Sequence, residues 1–347
     1  MTYKDRKNYF DGLKYISIFI IYFSHFIVFF HPEYVKLWIE PPFSFLIRGI
    51  TGKYSVAILG VCLAYFAYGS KEINASVYFL RRYFYFLASG LLINTIIAVL
   101  TKLLPYDQLY NSGLSGLAGM STTSMVWEVL RESLLLGRNI YPTFWCMSSF
   151  FGASVFAYLA GRAEVKTVGI VVGILWFWLS GQVWVAICLL GCIYKIIADN
   201  TELKRLLSYW PVRIIWSAFA LLIIRRNESV FTYLLDGISA VMILGVVDNS
   251  PVLQKVLSAK FLSWGGKNVM GIFLVHVPVY VCLGTWLFRI TSFLSYSVSF
   301  CLSLIVCWGV STFLAYPVSA FIGILQRQFT GMIKNRILLN LNGTTIF

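Results

Sequence analysis

Apolar stretches near twenty residues recur along the whole chain. They fall at about 12–30, 46–69, 83–104, 142–160, 167–180, 182–198, 211–225, 230–247, 263–288 and 293–323. Twenty residues of helix span about 30 Å, the hydrocarbon thickness of a bilayer. In lipid each backbone N–H and C=O must be satisfied within its own segment, and a helix does this. The expected fold is therefore all-α: a polytopic membrane helix bundle of about ten transmembrane helices. Only 12% of the residues are charged, about half the share of a soluble domain. The deficit is spread over the full length, so these are spans of a bundle and not one anchor on a soluble body. Between 167 and 198 only Ser180, Gly181 and Gln182 separate two runs, which makes that pair of spans the least sharply divided.

The net charge of +14 does not indicate nucleic acid, because most Lys and Arg sit in short loops. With the N-terminus inside, sixteen cations fall on inner segments and seven on outer ones, the bias that cytoplasmic loops carry. Both termini are thus expected in the cytoplasm, in an inner (plasma) membrane. Residues 1–325 form one transmembrane domain on this reading, and 326–347 a short basic tail at the membrane surface. Lys4, Arg6 and Lys7 before an apolar run resemble a signal peptide. The run is too long for one, and no small-residue cleavage site follows Phe30, so a retained first span is expected.

The seven cysteines lie in apolar segments without a CxxC or Cys/His cluster. They read as packing thiols, and no metal is implied. A Gly-rich phosphate loop is also missing, which argues against an ATP-driven pump.

The longest loop, about 105–141, is expected outside. Its stretch Met125–Leu136 has apolar residues at helical spacing, with Glu128 and Arg131 together on the other face, as in an amphipathic helix. The plain reading is a helix resting on the membrane. The sharper one puts Glu128 and Glu132 near the outer mouth of a site.

Ionisable groups inside spans are costly and mark function by default. The first span carries Lys14 near its inner end and His25 in its outer third. Eleven residues at ~100° each return the two to one face, roughly 16 Å apart along the axis, and this face is expected to line a passage through the membrane. Lys53 lies in the second span, and Asp236 in the outer third of the eighth. Asp236 is placed to orient His25 or to neutralise Lys53; the sequence leaves both open. Lys267 sits near an inner end, where it can snorkel. His276 precedes Pro278 by two residues and reads as a support for the break that Pro278 makes.

These residues also carry a resemblance. Phe10-Asp11-Gly12-Leu13-Lys14 followed by His25 resembles the opening of the acyltransferase-3 family of integral membrane acyltransferases, an Asp-x-x-Arg stretch with a His eleven residues after the Arg. Lys53-Tyr54-Ser55-Val56, Phe79-Leu80-Arg81-Arg82, Phe144-Trp145 and Ser263-Trp264-Gly265-Gly266-Lys267-Asn268 with Ile272–His276 are similar to later stretches of that family, in order and across essentially the whole chain. The family's usual Arg is Lys14 here, which keeps the charge but not the planar fork.

The resemblance implies an O-acyltransferase that takes an acyl group, commonly acetyl, from cytoplasmic acyl-CoA to a sugar hydroxyl of a cell-surface polysaccharide or its lipid-linked precursor. Acetyl-CoA is then the donor and a glycan the acceptor. Lys14, Arg81 and Arg82 become the CoA-phosphate cations, and His25 the general base. Lys53 becomes the candidate for the developing oxyanion, Asp236 a partner in catalysis, and Trp145 and Glu128 acceptor contacts. His25 can act as base in a direct transfer or carry the acyl group itself. The rival from another class is a transporter or flippase for a glycan or small anion, which the same polar passage would serve.

Overall fold

The computed structural model describes residues 8–30, 53–72, 74–104, 119–136, 146–200 and 230–343, with 202, 209 and 215 between them. Among the described residues the structure is all helical. The expected span at 211–225 lies outside them, as do the first residues of two others.

The first span is α1, Asn8–Phe30. It is followed by α2, Tyr54–Tyr68, and α3, Ala75–Leu103. The start of α3 is eight residues earlier than the apolar run suggested. Asn74 caps it by accepting from the Val77 backbone N–H at 3.1 Å, a cap worth about 1 kcal/mol. Arg81 and Arg82 thereby sit inside the helix. The amphipathic helix of the long loop forms as α4, Thr122–Leu134. Next come α5, Cys146–Ala160, and the hairpin of α6, Lys166–Leu179, with α7, Val183–Asp199. Gly181 in that turn has φ +77°, a left-handed conformation that costs any other L-residue roughly 1 kcal/mol or more.

Helix α8, Val230–Asp248, bends by 98° into α9, Pro251–Leu257. The bend is local: Ser250 caps α9 and Pro251 opens it, a position that needs no N–H. Then α10, Lys260–Lys267, leads into α11, Val269–Val279. The expected break at Pro278 is a π-helical turn, Tyr280–Gly284, after which α12 runs Thr285–Ile290. The last helix, α13, is Tyr296–Gly343. It shows no interruption at 325, so the basic segment that follows begins as a continuation of the last span.

Among the described residues four helices are long and apolar enough to cross a membrane, within Asn8–Ile27, Ala75–Leu103, Val269–Ile290 and Tyr296–Met332, and five if α8 with α9 counts as one. Shorter apolar helices, including α2, α5 and α6, pack among them. The protein is a multi-pass membrane helix bundle. Val172, Leu175, Trp176 and Leu179 on α6 and Ile305, Phe313 and Tyr316 on α13 point outward, as a lipid-facing surface requires. Five cysteines are buried, while Cys282 and Cys301 are exposed; all are free thiols.

Lipid removes the hydrophobic drive between helices, so close packing at small residues holds a bundle together. Two glycines do this where it matters for function. A Cβ on Gly266 would overlap the Asp11 backbone, and one on Gly265 the Tyr15 ring. The Gly265-Gly266 pair thus lets α10 lie directly on α1, bringing Lys267 to the end of α1 that carries Lys14.

Candidate active site

Helices α1 and α2 are antiparallel neighbours. Phe10 packs on Phe66 with ring centroids 5.7 Å apart, and on Tyr65 at 5.4 Å. Helices rise 1.5 Å per residue, so this register sets Cys62 level with Lys14 and Lys53 about level with Phe23. One end of the bundle therefore holds Lys14, and the other holds His25 and Lys53.

At the Lys14 end a cavity of about 670 Å³ opens between the helices, within the size range of small-molecule sites. Lys14, Arg81, Arg82 and Lys267 line it, with Glu72 as its one lining carboxylate. The three cations expected to act together thus share one space, and Lys267, read from sequence only as a snorkelling residue, joins them. Each is positioned. Lys14 Nζ lies 2.6 Å from Asp11 Oδ1, one turn back on α1, with Asp11 fully buried. Arg81 Nη1 lies 2.6 Å from Glu72 Oε2. Arg82 Nε donates to Tyr78 Oη at 3.2 Å and stands over that ring. Tyr78 stacks on Tyr158 at 3.9 Å and 6°, and Tyr158 Oη donates to the Glu72 carbonyl at 2.8 Å. The last helix joins in: Gln326 lines the cavity and its Nε2 donates to the Arg81 carbonyl at 2.9 Å.

At the other end, His25 Nδ1 lies 3.0 Å from Nε2 of His276, the two ring planes within 17°. His276 is fully buried on α11, whereas His25 is partly exposed. His276 Nδ1 lies 2.5 Å from the Phe273 carbonyl oxygen. A carbonyl only accepts, so that nitrogen carries the hydrogen. With both rings neutral, His276 Nε2 must accept and His25 Nδ1 donate. His25 Nε2 is then the hydrogen-free nitrogen, fixed by its neighbour as a histidine base is normally fixed by a carboxylate. Tyr22, Phe273 and Tyr280 place their rings around His276 at 6.1, 5.7 and 5.9 Å. The π turn begins four residues after His276; such turns inside helices are frequent at functional sites.

The remaining sequence candidates lie elsewhere. Lys53 Nζ donates to Tyr233 Oη at 3.0 Å and sits 4.5 Å from that ring's centroid. Asp236, one turn on along α8, is buried and within electrostatic reach of Tyr54 on α2. The ring held to His25 is that of His276. Glu128 is on α4, 2.5 Å from Arg131, which also reaches Glu132 at 2.8 Å. The opposite face of α4 buries Met125 and Val129, and Asn94 of α3 donates to Ser133 Oγ at 3.0 Å. Trp145 and Phe144 lie outside the described residues. Among the described residues no group of three or more His, Cys, Asp or Glu could hold a metal.

A cationic cavity at one end and a tautomer-fixed histidine at the other suit transfer of a group from an anionic donor. Residues 7–312 match the acyltransferase-3 family model, an acyltransferase domain. The chain belongs to the acyltransferase-3 family. No curated protein and no solved structure matches it. As an acyltransferase-3 protein it is a membrane acyltransferase, and the match takes in α1 to the middle of α13 and thus nearly all of the cavity and both histidines.

Proposed function

We propose that this acyltransferase moves an acetyl group from cytoplasmic acetyl-CoA to a hydroxyl of a cell-surface polysaccharide or its lipid-linked precursor. On this reading the bundle sits in the inner membrane with about ten spans and both termini cytoplasmic, and the donor enters at the Lys14 end. The observation that carries the donor assignment is the four-cation cavity. CoA bears a pyrophosphate and a 3′-phosphate, and Arg and Lys hydrogen bonds to phosphate are about twice as strong as neutral ones. Arg81 and Arg82 offer planar forks, and Lys14 a point charge.

The histidine pair supports the chemistry. His25 Nε2 takes the proton from the acceptor hydroxyl as its oxygen attacks the thioester carbon. The C–S bond breaks, and CoA leaves as a thiolate that recovers the proton from His25. The imidazolium formed in between keeps its Nδ1–H on His276, so the ring does not turn while it holds the proton. Lys53, on the same level of the bundle, is the candidate to face the oxyanion. Glu128 and Trp145 are assigned to the acceptor side, on and beside the loop around 105–141.

The test uses purified protein in lipid vesicles with radiolabelled acetyl-CoA and lipid-linked glycans. Label transfer with equal CoA release, abolished in His25→Ala, is the expected result. Glycan or anion movement across the vesicle without CoA release would overturn it in favour of transport.

A further inference from the structure

Among the described residues the cavity lining does not reach the histidine pair. Neither His25 nor His276 is on the cavity lining, and on that side the lining ends at Phe273. Phe273 touches both places. It lines the cavity, its ring centroid is 5.7 Å from that of His276, and its carbonyl accepts from His276 Nδ1. The lining cations are also confined to one end of the cavity, which they share with Leu63 and Phe66. Lys267, Lys14, Arg81 and Arg82 hold the end near Asp11. Deeper in the bundle the lining becomes Leu59, Phe86, Phe150, Met270 and Phe273. Phe150 is set against Gly60, where a Cβ would come to 3.0 Å from its ring. CoA phosphates have no use for this apolar head.

We propose that the apolar head of the cavity is an acyl slot for short acyl chains, and that Phe273 is its end wall, sorting donors by chain length. This rests on the reading of the cavity as the acyl-CoA site. The cations hold the nucleotide end whatever the acyl group, so CoA itself is indifferent to the wall. A chain longer than the slot meets Phe273. Removing the ring opens the space against His276, and each methylene then buried gains about fourfold in affinity.

The experiment is displacement of radiolabelled acetyl-CoA from the full-length protein in lipid nanodiscs. The competitors are CoA, acetyl-CoA, butanoyl-CoA and octanoyl-CoA. In the wild type, octanoyl-CoA is expected to compete at least tenfold less well than acetyl-CoA. Phe273→Ala should bring the two within about twofold, Phe273→Leu should fall between, and CoA should compete equally in all three. An unchanged order of donors in Phe273→Ala, with CoA binding intact, would overturn the slot alone. If Phe273→Ala loses CoA binding through misfolding, Phe150→Ala and Phe273→Leu carry the test. An unchanged order in both overturns the slot. Saturable acetyl-CoA binding that is absent from the wild type would overturn the donor site beneath it, and the slot with it.

Discussion

His25 and His276, 251 residues apart in sequence, hold each other at 3.0 Å between Nδ1 and Nε2. The Phe273 carbonyl fixes the direction of that bond by occupying the other nitrogen of His276. On the proposed mechanism His276 is therefore a positioning residue, and His25 the one offered to substrate.

Replacing the two should separate these roles. A general base contributes about 10²–10⁴-fold, so His25→Ala should lower kcat by that order with the KM for acetyl-CoA little changed. His276→Ala removes the ring that fixes the tautomer but leaves the base. It should lower kcat by about ten- to a hundredfold, and His276→Gln, whose side-chain oxygen can accept from His25 Nδ1, should recover part of the loss. Steady-state acyl transfer at matched membrane levels measures both. A His276→Gln variant no better than alanine would make the role of His276 one of packing alone.

The donor cations make a different prediction, in KM. Arg82→Ala removes a fork that Tyr78 holds in place. Loss of one charged hydrogen bond to phosphate, at about 1.5–3 kcal/mol, corresponds to a ten- to hundredfold weaker donor. Lys14→Ala should act the same way, and Lys14→Arg should retain most of the binding. Comparing CoA with its 3′-dephospho form locates the phosphate: a variant that weakens both equally does not touch the 3′-phosphate.

The path from sequence to this site was uneven for physical reasons. Lys14 and His25 share a face because helical geometry alone puts eleven residues on nearly the same azimuth, and Lys14, Arg81 and Arg82 could be grouped because loop charges fix which helix ends lie together. The division of 167–198 into two helices was also legible, at Ser180, Gly181 and Gln182. The partner of His25 was not. In a helix apolar on every side, such as α11, no polar face marks which neighbour a residue meets. The sequence offered Asp236 for that place and read His276 as a support for the break at Pro278. The start of α3 was hidden for a related reason: Arg81 and Arg82 end a hydropathy run, but they are good helix formers.

Gly266 tests the packing that brings α10 to α1. A Cβ there would overlap the Asp11 backbone, and backbone cannot swing aside as a side chain can. Gly266→Ala should cost about 1–3 kcal/mol, the usual penalty of overpacking, and lower the midpoint of thermal unfolding in detergent. Because Asp11 holds Lys14, donor affinity should fall as well. Gly331→Ala on α13, where a Cβ meets nothing within 4 Å, is the control and should leave both unchanged.

Lys53 is the residue whose role activity alone can decide. It is tied to Tyr233 by a hydrogen bond and by contact with the ring face, an arrangement that can hold α2 on α8 or aim an ammonium at a reacting carbonyl. The two uses respond differently to Tyr233→Phe. That change keeps the ring but removes the hydroxyl, at about 1.5–3 kcal/mol for a hydrogen bond from a charged group, so a purely structural lysine would lose stability and little rate. An oxyanion donor is worth about 10²–10³ in kcat. If Lys53 serves as one, Lys53→Met should lose that much with donor KM unchanged and Lys53→Arg should restore part of it, while Tyr233→Phe, by leaving the ammonium less well aimed, should lower kcat several-fold. Equal kcat in wild type and Lys53→Met, with a lowered unfolding midpoint, would assign Lys53 to the packing of α2 against α8.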